Sequence, residues 1–392
     1  MKFEVNREVM LDAAINVARV APSSATLDFL KGVLVESNSN TGEIFLTATN
    51  HEVSIQQKVM ANVEESGEML IDPRMLVDMM AKLAGDFVSL SAEKSGLLNV
   101  KGGRCTFQIY CRSSEGYPRP IIPFPEASVP MTGICSLSKR TTFVVSSDDN
   151  KLAMQCVQVK IKNNAVHAAA SDGIGRMMLV KDDSEPANEQ EFLLPGRSLK
   201  MLASISDDSD VFEVSDLGHE VVFVRGDMIF TIRKMVTGAF IDTASVIQNF
   251  KPVYSAVTDA SKLKEALNLI SVSASIGEGI EPINLALLGD EISIWCNGES
   301  SEGSTVVPAK ISANTPDAGF LYNVFALLKL FQVVGGKVKL EINANGIMLI
   351  KTRTEVYLQS PMSPRIKTEK PAKEKKEKVR AKGAEGVNKK AA

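Results

Sequence analysis

The sequence predicts an α+β protein made of three tandem copies of one unit, each copy itself doubled. Two sets of repeated segments carry that prediction. "LNVKGGRCTFQIYC" (98–111), "VVFVRGDMIFTIRK" (221–234) and "IMLIKTRTEVYLQS" (347–360) each alternate, turn tightly and alternate again, the pattern of a β-hairpin. Val100, Val224 and Ile350 hold equivalent places in them, 124 and 126 residues apart. "LTATNHEVSI" (46–55), "HAAASDGIGRMML" (167–179) and "IWCNGESSEGSTVV" (294–307) form the second set, with turn positions Asn50, Asp172 and Asn297 separated by 122 and 125 residues. Two independent features sharing one period define three copies.

Along the chain, apolar residues at three- and four-residue spacing predict helices beginning near Asn6, Asp72, Ser138, Gly196, Ala260 and Leu321, at intervals of roughly 60 residues. The first carries Val9, Met10, Ala13 and Val17, and the second Met75, Leu76, Met79, Met80 and Leu83. Asp72 is the predicted N-cap of that second helix, Pro73 its first residue and Gly85 its stop. Each stripe is apolar on one side only, so each helix is expected to lie on a sheet with its other side wet. The expected divisions are residues 1–127, 128–250 and 251–366, followed by a tail over 367–392. That tail is poor in large apolar residues and is predicted to be disordered.

The net charge of −3 hides a split. From Arg365 onward there are 11 Lys or Arg against 4 Asp or Glu, so the tail carries +7 and the body −10. An acidic body does not suit a protein that coats nucleic acid over its whole surface, so any such contact has to be made by a local basic face. No stretch approaches the ~20 consecutive apolar residues of a membrane-spanning helix, and the opening "MKFEVNREVM" lacks an apolar signal core, so a cytoplasmic protein is expected. Cys105, Cys111, Cys135, Cys156 and Cys296 show no CxxC spacing and read as buried, reduced thiols.

A search for chemistry finds little. The three histidines, His51, His167 and His219, are scattered, and no metal, nucleophile-elbow or phosphate-loop signature is present. "SDGIGR" is a weak match to a glycine-rich phosphate loop, but the "RMMLV" that follows is strand-like where a helix would be needed. A hairpin corner is the better reading, and neither cofactor nor metal is expected.

The repeats, the absent catalytic set and four segments together resemble the bacterial sliding clamp, the beta subunit of DNA polymerase III. The segments are "MKFEVNREVML" at the start, "ASDGIGRMML" (170–179), "GAFIDTASVI" (238–247) and "YLQSPMSP" (357–364). The resemblance covers residues 1–366 and implies three clamp domains per chain. It also implies a head-to-tail homodimeric ring and a non-enzymatic processivity factor that encircles duplex DNA without sequence preference. Its implied location is the cytoplasm, with the nucleoid. Its implied partners are the DNA polymerase III catalytic subunit, the clamp loader and other proteins carrying a clamp-binding motif.

Carried over by position, the partner-peptide pocket is Lys151, Met154, Ser171, Gly173, Arg176, Met177, Ile241, Val246, Leu358, Ser360, Pro361 and Met362. The cations expected to face DNA are Arg74, Lys82, Lys139, Arg140, Arg197, Lys200, Lys262, Lys264 and Lys329, and the expected dimer contacts are Phe107 and Ile109, meeting residues 270–276 of the partner. Ile174 and Gly175 stand where the family usually has one histidine, Ile241 where it has proline and Ser360 where it has an apolar residue; the loops 146–153 and 277–282 are acidic where basic or aromatic DNA contacts are usual. The resemblance with these departures implies a divergent or second clamp. The competing readings are a non-ring interaction scaffold built from the same domains, and an enzyme acting on nucleotides through the Asp172 turn.

Overall fold

Hairpins dominate the computed structural model, which describes residues 1–93, 95–119, 128–162, 165–181, 190–236, 238–274, 282–297 and 301–363. Every strand pairing among them is antiparallel, and they form four sheets. The first has the order β5 (Asn62–Glu65), β1 (Lys2–Asn6), β7 (Phe87–Ala92), β8 (Leu97–Gly102), β9 (Cys105–Tyr110). The second has eight strands: β10 (Val129–Met131), β15 (Phe212–Asp216), β16 (Glu220–Arg225), β17 (Met228–Arg233), β4 (Val53–Met60), β3 (Glu43–Thr49), β2 (Val33–Asn38) and β6 (Gly67–Ile71).

The third has nine: β14 (Gln190–Pro195), β11 (Cys156–Lys162), β12 (Ala165–Ser171), β13 (Arg176–Lys181), β26 (Glu355–Gln359), β25 (Met348–Lys351), β24 (Lys337–Ile342), β18 (Tyr254–Asp259) and β22 (Lys310–Ala313). The fourth is β21 (Glu302–Pro308), β20 (Glu291–Asn297), β19 (Ile283–Leu288) and β23 (Phe320–Tyr322). The three repeated hairpins of the sequence are β8–β9, β16–β17 and β25–β26.

Among the described residues, six of the seven helices pack in pairs, α1 (Arg7–Ala18) with α2 (Pro73–Lys82), α3 (Ile134–Thr141) with α4 (Gly196–Ser204), and α6 (Ala260–Ala274) with α7 (Val324–Phe331). One pair per copy is the predicted doubling. α1 buries Met10, Ala13, Ala14 and Val17, lying on β1 of the first sheet and on β3 and β4 of the second. Val9 and Met75, counted in the expected stripes, are exposed instead, because the apolar face is narrower than three-residue spacing suggested.

The Asp72 carboxylate accepts from Met75 N–H at 3.0 Å, as an N-cap does, and Pro73 opens α2. That helix stops at Lys82, before Gly85. α3 begins four residues ahead of the expected Ser138, since Gly133 at φ 72° turns the chain and Asp208 accepts from Ser136 N–H at 2.6 Å. α7 begins at Val324, where the Asn323 side chain caps it. The short α5 (Thr243–Gln248) was not expected.

Contacts group Met1–Met362 as one unit. Within it the second sheet passes from β17 to β4, and the third from β13 to β26, so the copies share backbone ladders. The 277–281 part of the acidic loop and the tail from 364 lie outside the described residues. Two cysteines depart from expectation: Cys105 is exposed on β9 and Cys111 half-buried, while Cys135, Cys156 and Cys296 are buried. Burial pushes the Cys111 and Cys156 thiols up to about 11 and 12, so neither is a ready nucleophile.

Candidate peptide groove and basic cavity

The glycine-rich turn is a hairpin corner between β12 and β13. Gly173 takes φ 65°, a conformation that favours glycine. Asp172 holds the corner: its Oδ1 accepts from the N–H of Ile174, Gly175 and Arg176, each at 2.9 Å, and its Oδ2 from Arg176 Nε at 2.7 Å. Burial alone would raise this carboxyl, but the three backbone donors and the guanidinium outweigh it and hold it below the ordinary carboxylate range. Four hydrogen bonds within its own turn and 6% exposure commit Asp172 to holding the corner. Asn50 does the same in the first copy, accepting from Glu52 and Val53 N–H at 3.0 and 2.8 Å.

Around this corner the structure brings most of the expected groove together. β13 pairs with β26 so that Met177 faces Leu358 and Arg176 faces Gln359. Ser360 N–H donates to Gly175 O at 2.7 Å. A Cβ at Gly173 would stand 3.0 Å from Met154 Cγ and 3.6 Å from Lys151 Cδ, which fixes those two side chains beside the turn. Met177, Leu349 and Leu358 form a small apolar cluster on which Val246, Ile247 and Phe250 pack, so α5 and its neighbours supply a wall. Met177 is only 2% exposed and forms the floor, with Val246 packed on its cluster; Met154, Ile241, Pro361 and Met362 are half-buried. Met362 N–H donates to Leu321 O at 2.8 Å, tying the end of the groove to the residue before β23 closes.

Ile241 also lines a separate cavity of about 520 Å³, with Phe240, Leu179 and His167. Burial first, then Lys181 and Lys160, hold the His167 imidazole below its ordinary value.

Of the nine expected DNA-facing cations, Lys139, Arg197, Lys200 and Lys329 line one cavity of about 1230 Å³. Arg176, Arg233 and Lys234 join them there against Glu52 and Asp149. Arg233 and Lys234 were missed; the signal was the basic end of the second repeated hairpin, "TIRK". Arg197 is engaged by Glu52, which also accepts from Ser198. Among the described residues Lys139, Lys200 and Lys329 make no salt bridge and are exposed. Arg74, Lys82 and Lys262 are exposed outside the cavity, and Lys264 is half-buried. Arg140 departs from the rest: it is 12% exposed and its Nη1 sits 3.1 Å from Glu355 Oε1. A guanidinium spent on a buried partner is not offered to a phosphate.

Phe107 and Ile109 lie opposite Val100 and Leu98 on one face of β9, with Ile109 packed on the core. β9 closes one terminal sheet and β21 the other, so each leaves an edge ladder unpaired among the described residues. Exposed Phe107 and Tyr110 stand on the first edge, and Val306 on the second, with Leu269 and Val272 of α6 also exposed.

No helix among the described residues is long and apolar enough to cross a membrane, and no cluster of metal-ligating side chains occurs among them. Residues 1–122 match the family model of the DNA polymerase III beta subunit, N-terminal domain. The chain is 25% identical over 345 residues to the beta sliding clamp of Synechococcus elongatus, covering 85% of this chain and 91% of that one. It is 22% identical over 342 residues to that of Chlamydia trachomatis, covering 85% and 79%. The DNA polymerase sliding clamp of Bacillus subtilis superposes with a TM-score of 0.84 at 19% identity, covering 93% of this chain and all of that one. The DNA polymerase III beta subunit of Pseudomonas aeruginosa does so at 0.82 and 22% identity, with the same coverage.

Proposed function

We propose that the chain is a divergent member of the bacterial sliding-clamp family, the beta subunits of DNA polymerase III, and that it closes with a second copy into a ring around duplex DNA. It is a polymerase accessory and not itself an enzyme, holding the polymerase to its template by topology.

The observation that carries the DNA-facing assignment is the convergence of Lys139, Arg197, Lys200 and Lys329, contributed by three helices, on one basic cavity of an otherwise acidic body. Such a field binds phosphates without reading bases. Arg140 is left out of that set, since Glu355 occupies it. The ring reading is supported by the two unpaired edges: β9 with Phe107 and Ile109, and β21 with Val306. An exposed apolar edge is an aggregation hazard unless something pairs with it, and a head-to-tail partner pairs both at once.

The residues around the Asp172 turn form the groove in which short peptide segments of the polymerase, the clamp loader and other partners dock. Half-buried Met154 and Met362 suit several ligands, since a thioether repacks at low cost. Three tandem domains over 1–127, 128–250 and 251–366 and a cytoplasmic location complete the reading.

Retention on circular DNA tests it. A clamp stays on a closed circle after loading and runs off once the circle is cut. Equal loss from both would leave a non-ring scaffold.

A further inference from the structure

We propose that the cavity of about 520 Å³ between the third sheet and the Phe240–Ala244 segment binds a small organic acid, a carboxylate carried on an aromatic or branched aliphatic body. Neither ring closure nor the docking of partner peptides uses this cavity. Its volume suits such a molecule, since ligand cavities run from roughly 300 to 1,000 Å³.

Two ladder rows of the sheet supply the floor. Gln158, Ala169 and Leu179 stand opposite one another across β11, β12 and β13. Two residues along, Glu191, Lys160 and His167 do the same across β14, β11 and β12. Residues two apart on a strand share a face, so both rows look into the same space. The first row dips at Ala169, the smallest side chain in it, and Phe240 and Ile241 stand across from the dip on the other wall. One side of the slot is therefore apolar, and the second row makes the other side polar.

The polar groups that remain open set the charge of the occupant. Both Glu191 oxygens are engaged: Oε1 accepts from Gln158 Nε2 at 2.8 Å, and Oε2 stands 3.3 Å from Lys160 Nζ. Asp242 accepts from Ser245 N–H at 3.1 Å, capping α5. What is left over is donors. The half-buried His167 imidazole has no hydrogen-bond partner among the described residues, and neither has the Thr243 hydroxyl, which is only 9% exposed. An ammonium has three N–H groups, so Lys160 keeps two beyond its bond to Glu191. A hydroxyl this buried is costly to leave unpaired. A carboxylate meets all three donors, because it has two acceptor oxygens and a charge opposite to that of Lys160. An amine would bring a further donor to a set of donors, and a hydrocarbon would leave all of them unmet.

The test uses the full chain and phenylpropionate, with phenylpropionamide as its uncharged counterpart and acetate as the head group without a body, read by saturation-transfer difference NMR. Phenylpropionate should bind saturably, the amide about tenfold more weakly, and acetate without saturation. Thr243→Val keeps the shape and removes the hydroxyl, and His167→Leu removes the imidazole; each should weaken phenylpropionate about tenfold and the amide less. An unchanged melting temperature shows that the fold is intact, and Lys160→Met at the exposed rim gives the same reading without touching the buried wall. Equal affinity for acid and amide overturns the proposal. So does binding of the acid to these variants as to the natural protein, which places it elsewhere, or no saturable binding up to about 10 mM.

Discussion

Arg140 on α3 and Glu355 on β26 meet at 3.1 Å with 12% and 13% exposure, an ion pair between residues 215 positions apart. It lies where the second and third copies share a sheet, beside the stacked rings of Phe143 and Tyr357, whose centroids are 6.1 Å apart. Removing Arg140 leaves the Glu355 carboxylate, 13% exposed, with the Thr352 hydroxyl in place of a cation, and about 3 kcal/mol of stability should go with it. Chemical denaturation should show a large loss for Arg140→Ala, and a smaller one for Arg140→Met combined with Glu355→Leu. If the double variant is the weaker of the two, the pair contributes more than the relief of a stranded charge.

Phe107 and Ile109 share one face of an edge strand. Phe107→Asp with Ile109→Asp should yield monomers in sedimentation velocity. Since Ile109 also packs on the core, Val306→Asp on the opposite edge provides a second variant that should dissociate the ring without touching that packing. A dimer surviving all three changes places the interface elsewhere.

Met362 and Leu358 stand on the closing segment of the groove. Truncating both to alanine should lower peptide affinity by ~1–3 kcal/mol per anchor, while retention on circular DNA persists. Leu358 is nearly buried, so Met362→Ala alone separates loss of contact from loss of packing.

The Asp172 carboxyl titrates below its ordinary value, so its contribution to stability is complete above the unfolded value of about 3.9 and disappears as pH falls through the folded one. Asp172→Asn does not titrate. The gap in melting temperature between the natural protein and this variant should be widest near neutrality and shrink below about pH 4; a gap independent of pH would mean that the charge is not what holds the corner.

Lys200 and Lys329 line the basic cavity without a carboxylate partner among the described residues. If each meets a phosphate, Lys200→Gln and Lys329→Gln should each flatten the slope of log affinity against log salt by about 0.9 on duplex DNA. Slopes that superimpose on the natural protein's would exclude those contacts.

The backbone plan was legible because it repeats. Alternation in three hairpins and one period of turn residues are local signals, and Asn50 and Asp172 both accept from the N–H groups two and three residues further on. What stayed hidden depends on distant partners. The start of α3 is set by Asp208, a residue 72 positions beyond the N–H it accepts. The fate of Arg140 is set by Glu355, and nothing on the helix distinguishes it from Lys139. The groove residues were named from segment order, but that Gly173 lies against Met154 and Gly175 against Ser360 is visible only in the fold.

Sharing a ladder between β13 and β26 also sets a timetable for biosynthesis. The strand carrying Met177 and Leu179 leaves the ribosome long before its neighbour, which is encoded near residue 355, and β4 waits in the same way for β17. Until then each presents a bare, apolar rim to other nascent chains. Pairings this distant in sequence form slowly and are exposed to misassembly while they wait. Substitutions that delay translation between residues 181 and 355 should therefore reduce yield without altering the finished protein.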